Sequence, residues 1–218
     1  MRHLPWRIWV VILPLATGAG LVVYILAGLS LILGVGLAML VGLIATLIVW
    51  RRSRPVDRQL IRQRAIIGLY AGALATLSYD VCRYVMVTVL HFTFWPFDIF
   101  SIFGRLLVGD NAPTAITTGV GILYHYANGI GFAIAFVFLF RRPGVLSGLV
   151  WAAMLEFFMV SLYPSWLNLK ALDEFLSVSI VGHTIYGLVL GSVARYSVSK
   201  RRMAAHSTVP HTSDESIR

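Results

Sequence analysis

Asp80 and Arg83 stand three residues apart in LSYDVCRYV (77–85), inside a stretch otherwise apolar enough to cross a membrane. A charged side chain at the centre of a span costs about 2.5–3.5 kcal/mol on insertion scales, so such residues face a bundle interior and mark sites or ion pairs. Three more ionisable residues share this setting: His125 in LYHYANG, Glu156 in AMLEFFM and His183 in VGHTIYG. Asn128 lies one turn beyond His125.

These residue types allow four kinds of role. Carboxylates and imidazoles near a bilayer midplane take and give protons, the requirement for proton-linked transport or binding of a small molecule or ion. In that reading Asp80, Glu156, His125 and His183 relay protons or bind a cation. Arg83 then fixes an anion or tunes Asp80. Alternatively His125, His183, Asp80 and Glu156 supply nitrogen and oxygen ligands to zinc, iron or manganese for a hydrolase or oxidoreductase. No H-x-x-x-H, H-x-x-H or E-x-x-H spacing supports that set. A third reading has His125 and His183 as axial ligands of a haem, admitted by Gly121, Gly129, Gly131, Gly182 and Gly187. In the fourth the polar groups merely specify helix packing in an accessory or structural protein, as a buried Asp/Arg pair can. No cofactor is assigned.

Elements that would position these groups follow from hydropathy. Apolar residues make up 58% of the 218-residue chain and charged residues 12%, the balance of an integral membrane protein. About 20 apolar residues span the hydrocarbon core. Six segments qualify: 6–28, 30–50, 65–90, 114–140, 145–163 and 175–196. The expected fold is thus an all-α, polytopic six-helix bundle. Residues 1–50 form an N-terminal hairpin serving as anchor or packing wall, 51–64 a basic loop, and 65–196 a four-helix core. Residues 197–218 read as a disordered tail. The first segment also resembles a signal peptide, but its apolar run continues past the small residues at 16–20, which favours an uncleaved span.

Lysine and arginine fix the orientation. Arg51, Arg52, Arg54, Arg58, Arg62, Arg64, Arg141, Arg142, Arg195 and Lys200 fall on one side of the six spans, against Arg105 and Lys170 on the other. Positive-inside bias makes the first side, with both termini, cytoplasmic, and the host an inner membrane. The net charge of +9 is then a matter of topology and anionic lipid, and nucleic acid is not an expected partner.

With these boundaries Asp80 lies about 15 Å from the outer end of its span, His125 about 16 Å, His183 about 12 Å and Glu156 about 10 Å, at 1.5 Å per residue. Four helices offer ionisable groups at one level. Helical spacing gathers Thr76, Asp80, Arg83, Tyr84 and Val87 on one stripe, with His91 at its outer end. Thr118, Gly121, His125 and Asn128 form a second, and Ser179, His183 and Tyr186 a third.

Two further features complete the reading. Residues 96–108 suit an interfacial helix with Asp98, Ser101 and Arg105 on one face and Phe97, Phe100, Phe103, Leu106 and Leu107 on the other, either an aromatic anchor or a lid. Small residues recur at helical spacing (Gly34, Ala38, Gly42; Gly68, Gly72; Gly144, Gly148, Ala152; Gly187, Gly191), suited to close packing within the bundle or in a homo-oligomer. The single Cys82 forms no redox pair within the chain. No Walker A, G-x-S-x-G, H-E-x-x-H or C-x-x-C motif occurs.

Overall fold

The computed structural model describes residues 5–207, and side-chain environments over 8–200. Its helices are α1 (Pro5–Val11), α2 (Ala16–Ala27), α3 (Leu31–Arg52), α4 (Pro55–Val89), α5 (Asp98–Val108), α6 (Thr114–Leu139), α7 (Val145–Leu167) and α8 (Leu172–Ser207). No strand occurs among the described residues. Five helices, α3, α4, α6, α7 and α8, are long and apolar enough to cross a membrane. Large apolar side chains such as Leu40, Ile44, Leu123, Leu146 and Phe157 cover the exterior, as a lipid-facing bundle requires.

The first expected span is in two pieces. Pro14 has no N–H to continue the ladder, and the chain turns over Ile12–Leu15 between α1 and α2. Close backbone packing accommodates this break: a Cβ on Gly131 would lie 2.1 Å from the Pro14 carbonyl oxygen, and one on Gly42 would lie 2.5 Å from Leu13. Gly28, at φ 67°, ends α2 in the left-handed region, and the Ser30 hydroxyl caps α3 by accepting from Leu33 N–H.

Two segments expected to be irregular are helical. The basic stretch 51–64 is not a loop: α3 continues to Arg52 and α4 starts at Pro55. Proline at the first helical position and Asp57 in the first turn both favour initiation there. Arg58 then donates to the carbonyls of Trp50 and Arg51, at 2.9 and 3.3 Å, satisfying the end of α3. The tail expected to be disordered from residue 197 is helical to Ser207, and 208–218 lie outside the described residues.

Arg64 is buried where α4 passes the end of α6. It donates to the carbonyls of Val137, Phe140 and Arg141, the last two at 3.1 and 3.2 Å. A cation bonded to these otherwise orphaned carbonyls complements the helix dipole. Arg64→Ala is expected to lower stability by about 1.5–3 kcal/mol, the range for hydrogen bonds to a charged group. Thermal unfolding in detergent checks this, with Arg64→Lys retaining part of the loss.

Helices α7 and α8 pack along one another, α8 also packs on α4, α4 on α6, and α5 on α6; α2 and α3 pair as a hairpin that, with α1, rests on α6. The small-residue stripes serve these seams. Gly148 on α7 meets Gly187 and Gly191 on α8, Gly68 and Gly72 meet α6 at Ile134 and Ile130, and Gly34 meets Gly20. Each of these glycine faces is thus filled by a neighbour in the same chain.

Candidate functional site

The four ionisable residues expected at one level form two pairs. Asp80 Oδ1 on α4 lies 3.2 Å from the Arg83 guanidinium and 3.2 Å from His125 Nε2 on α6. His125 Nε2 makes no hydrogen bond among the described residues. Glu156 on α7 and His183 on α8 make the second pair, with Oε2 2.7 Å from Nδ1. Ser179 donates its hydroxyl to the same Oε2 at 2.6 Å, and His183 Nδ1 also lies 3.1 Å from the Ser179 carbonyl oxygen.

Tyr79 joins the pairs. Its ring centroid is 6.0 Å from that of His125 and 5.0 Å from that of His183, and the Arg83 guanidinium lies over it at 4.6 Å. Tyr79 carries no charge that would mark it in the sequence. A signal existed: it falls three residues after Thr76 and four before Arg83, on the stripe those residues define. A Cβ on Gly182 would lie 2.8 Å from the Tyr79 ring, so the small residue beside His183 lets this aromatic close in.

Arg83 is 6% exposed and fully engaged. Besides Asp80 it donates to the Pro96 carbonyl at 2.6 Å, and it also lies over the Phe97 ring, at 5.1 Å. It therefore ties the chain entering α5 to α4. Tyr84, expected on the inward stripe, is instead 53% exposed and packs on Trp95, because one residue past buried Arg83 is a turn of about 100° around the helix. On α6 it is Thr117 that is buried, against α5, and Gly121 lets the Phe100 backbone approach.

A cavity of about 700 Å³ opens beside the two pairs. Arg83, His125, Asn128, Ser179 and His183 reach its wall, and its remaining surface is largely apolar, from α2, α5, α6, α7 and α8. Its size falls in the range of about 300–1,000 Å³ for small-molecule sites. Leu15, Leu21, Val22 and Ile25 give the N-terminal hairpin a share in this wall, beyond an anchoring role. Helix α5, expected at the interface over 96–108, supplies Ile99, Ile102 and Phe103 and so closes one side. Buried against the cavity, Thr76 Oγ1 and Asn128 Oδ1 make no hydrogen bond among the described residues.

The same geometry separates the metal set. Asp80 and Glu156 belong to different pairs, the Tyr79 ring contacts both imidazoles, and no three His, Cys, Asp or Glu side chains among the described residues converge as an ion's ligands would. The haem arrangement meets a steric objection. Gly121, Gly129, Gly131, Gly182 and Gly187, whose lack of side chains was to admit a macrocycle, face Phe100, Thr76, Pro14, Tyr79 and Gly148 within 3 Å of an added Cβ.

No curated protein and no solved structure matches the chain. The model of a family of unknown function, DUF6789, matches residues 62–205, which carry both pairs, Tyr79 and α5 and leave the N-terminal hairpin outside. The chain belongs to the DUF6789 family.

Proposed function

We propose that this membrane protein binds and carries a small molecule in the central cavity, with binding linked to protonation of the two imidazole–carboxylate pairs. One observation carries the reading: four helices contribute one member each to Asp80–His125 and Glu156–His183, and both pairs touch Tyr79 at the wall of one large cavity. A proton on His183 turns a carboxylate beside a neutral ring into an ion pair, strengthening the hold between α7 and α8. A proton on His125 acts likewise between α6 and α4. Ligand and proton then influence each other through the charge of the same site, and a change of charge alters how tightly the helices grip.

The proposed topology has six crossings, with α1 and α2 together making the first, and both termini in the cytoplasm of a cell bounded by an inner membrane. Its support is the arginine distribution, with Arg51, Arg52, Arg58, Arg141 and Arg142 at the bundle end where Arg64 caps α6. The cavity then opens toward the outer face, beside Thr93–Pro96 and Asp98.

A thermal-stability screen of small molecules against the purified protein tests this, run at about pH 5.5 and about pH 8, either side of ordinary imidazole titration. Compounds that raise the unfolding midpoint by a pH-dependent amount are expected, and the dependence should shrink in the Glu156→Gln/His183→Gln variant, which keeps only the Asp80–His125 pair. Ligands whose effect is the same at both pH values and in both proteins would contradict the reading.

A further inference from the structure

We infer that the cavity takes lipophilic cations, bound in competition with protons. The inference rests on the proton-linked reading and names the class of ligand.

Charge comes first. Asp80, Glu156 and Asp98 stand at or just behind the wall, against Arg83 alone, so the site carries an excess of negative charge whenever both imidazoles are neutral. Arg83 does not serve as a receptor for an anion. Its guanidinium is held by Asp80 Oδ1 and the Pro96 carbonyl, and the rings of Tyr79 and Phe97 lie against it. Two of the buried polar atoms that make no hydrogen bond among the described residues, Glu156 Oε1 and Asn128 Oδ1, are acceptors, which suit a cation or a donor.

The wall supplies the second half. Tyr79, Phe132, Trp151, Phe158, Tyr163 and Tyr186 line it. Aromatic faces attract cations through their quadrupole, most strongly where water is excluded. Small hydrated ions find too few oxygens in so apolar a space. A bulky, weakly hydrated cation with its charge spread over an organic body finds both the faces and the volume. His183 and Glu156 also line a crevice of about 430 Å³ between α7 and α8, otherwise largely apolar and bordered by lipid-facing Phe157 and Ile180. A cation dissolved in the bilayer reaches the acidic pair from that side.

Proton competition follows from the neighbours of each imidazole. His183 faces Glu156 of α7 and Tyr79 of α4, with the Arg83 side chain beside the adjacent Gly182. His125 faces Asp80 and Tyr79 of α4 and Phe100 of α5, with Tyr126 next to it on α6. Protonation of either ring cancels negative charge that the ligand would otherwise use, so binding weakens in acid.

The test compares two probes of one shape and opposite charge, tetraphenylphosphonium and tetraphenylborate, on the full-length protein in detergent by equilibrium binding. Tetraphenylphosphonium is expected to bind saturably, about tenfold more weakly at about pH 5.5 than at about pH 8. Glu156→Gln should weaken it by a similar factor while the unfolding midpoint shows the variant folded, and His125→Gln, which leaves the Asp80–Arg83 pair in place, should reduce the pH dependence. Tetraphenylborate binding as tightly as the cation, or cation binding indifferent to pH, would overturn the inference. So would failure of folded wild-type protein to bind the cation. Neutral or anionic compounds that stabilise the protein in a pH-dependent way would leave the proton-linked reading standing while this inference falls.

Discussion

Gly121→Ala is expected to lower the stability of the protein by about 3 kcal/mol or more, at the upper end of what overpacking costs. A Cβ there would lie 1.7 Å from the Phe100 carbonyl oxygen, and the reciprocal contact on α5 is as tight, with a Cβ on Gly104 1.7 Å from the Thr117 carbonyl oxygen. Neither neighbour is a flexible side-chain tip. Both are helix backbone, so α5 has to move away from α6, taking Ile99, Ile102 and Phe103 out of the cavity wall. Gly119→Ala on the same helix is the control, since nothing lies within 4 Å of its added Cβ. Helix propensity alone makes that change neutral or stabilising by up to about 1 kcal/mol. Thermal unfolding in detergent reads both, and faster proteolysis between α4 and α6 in Gly121→Ala would locate the damage.

Asp80→Ala has the second large effect, a loss of about 3–5 kcal/mol, because removing one member of a buried ion pair leaves the other uncompensated. Arg83 is buried and remains tied to the Pro96 carbonyl, a neutral acceptor that does not balance its charge. Arg83→Ala leaves a different remainder: Asp80 still has His125 within 3.2 Å, and a proton on that ring restores neutrality. The Asp80→Ala/Arg83→Ala double variant should therefore lose less than the sum of the two single losses, which a thermal double-mutant cycle measures. Additive losses would show that the pair is not coupled.

Much of this site was legible because the background is apolar. Asp80, Arg83, His125, Glu156 and His183 are conspicuous in segments otherwise free of charge but for Arg195 at the end of the last, and 1.5 Å per residue from the span ends puts them at one depth. What counting could not supply was pairing across helices. Which carboxylate meets which imidazole depends on the order in which α4, α6, α7 and α8 pack, and that order rests on glycine contacts such as Gly148 with Gly187. The spacing of small residues announced close approach without naming the partner. Leu15, Leu21, Val22 and Ile25 line the cavity, yet an apolar residue facing a cavity is indistinguishable in sequence from one facing lipid.

The departures have local causes. Charge density made 51–64 look like a loop, although Pro55 at the first helical position and Asp57 behind it carried the opposite signal. Spacing of three and four residues defines a helical stripe only to within a neighbouring position, so Tyr84 reads as inward in the sequence whereas Tyr79 occupies that place in the structure. Pro14 was visible in the first span, and its consequence is the turn between α1 and α2.

The central claim is that ligand and proton share the Asp80–His125 and Glu156–His183 pairs. Counting protons tests it most directly. Calorimetric titration of the protein with tetraphenylphosphonium, or with the tightest compound from the stability screen, in buffers of different ionisation enthalpy gives the number exchanged per ligand bound. The account predicts a net exchange in the wild type between about pH 5.5 and about pH 8, and a smaller one in Glu156→Gln/His183→Gln, where only the Asp80–His125 pair remains. Saturable binding with no proton exchanged, or an unchanged count in that variant, would contradict it.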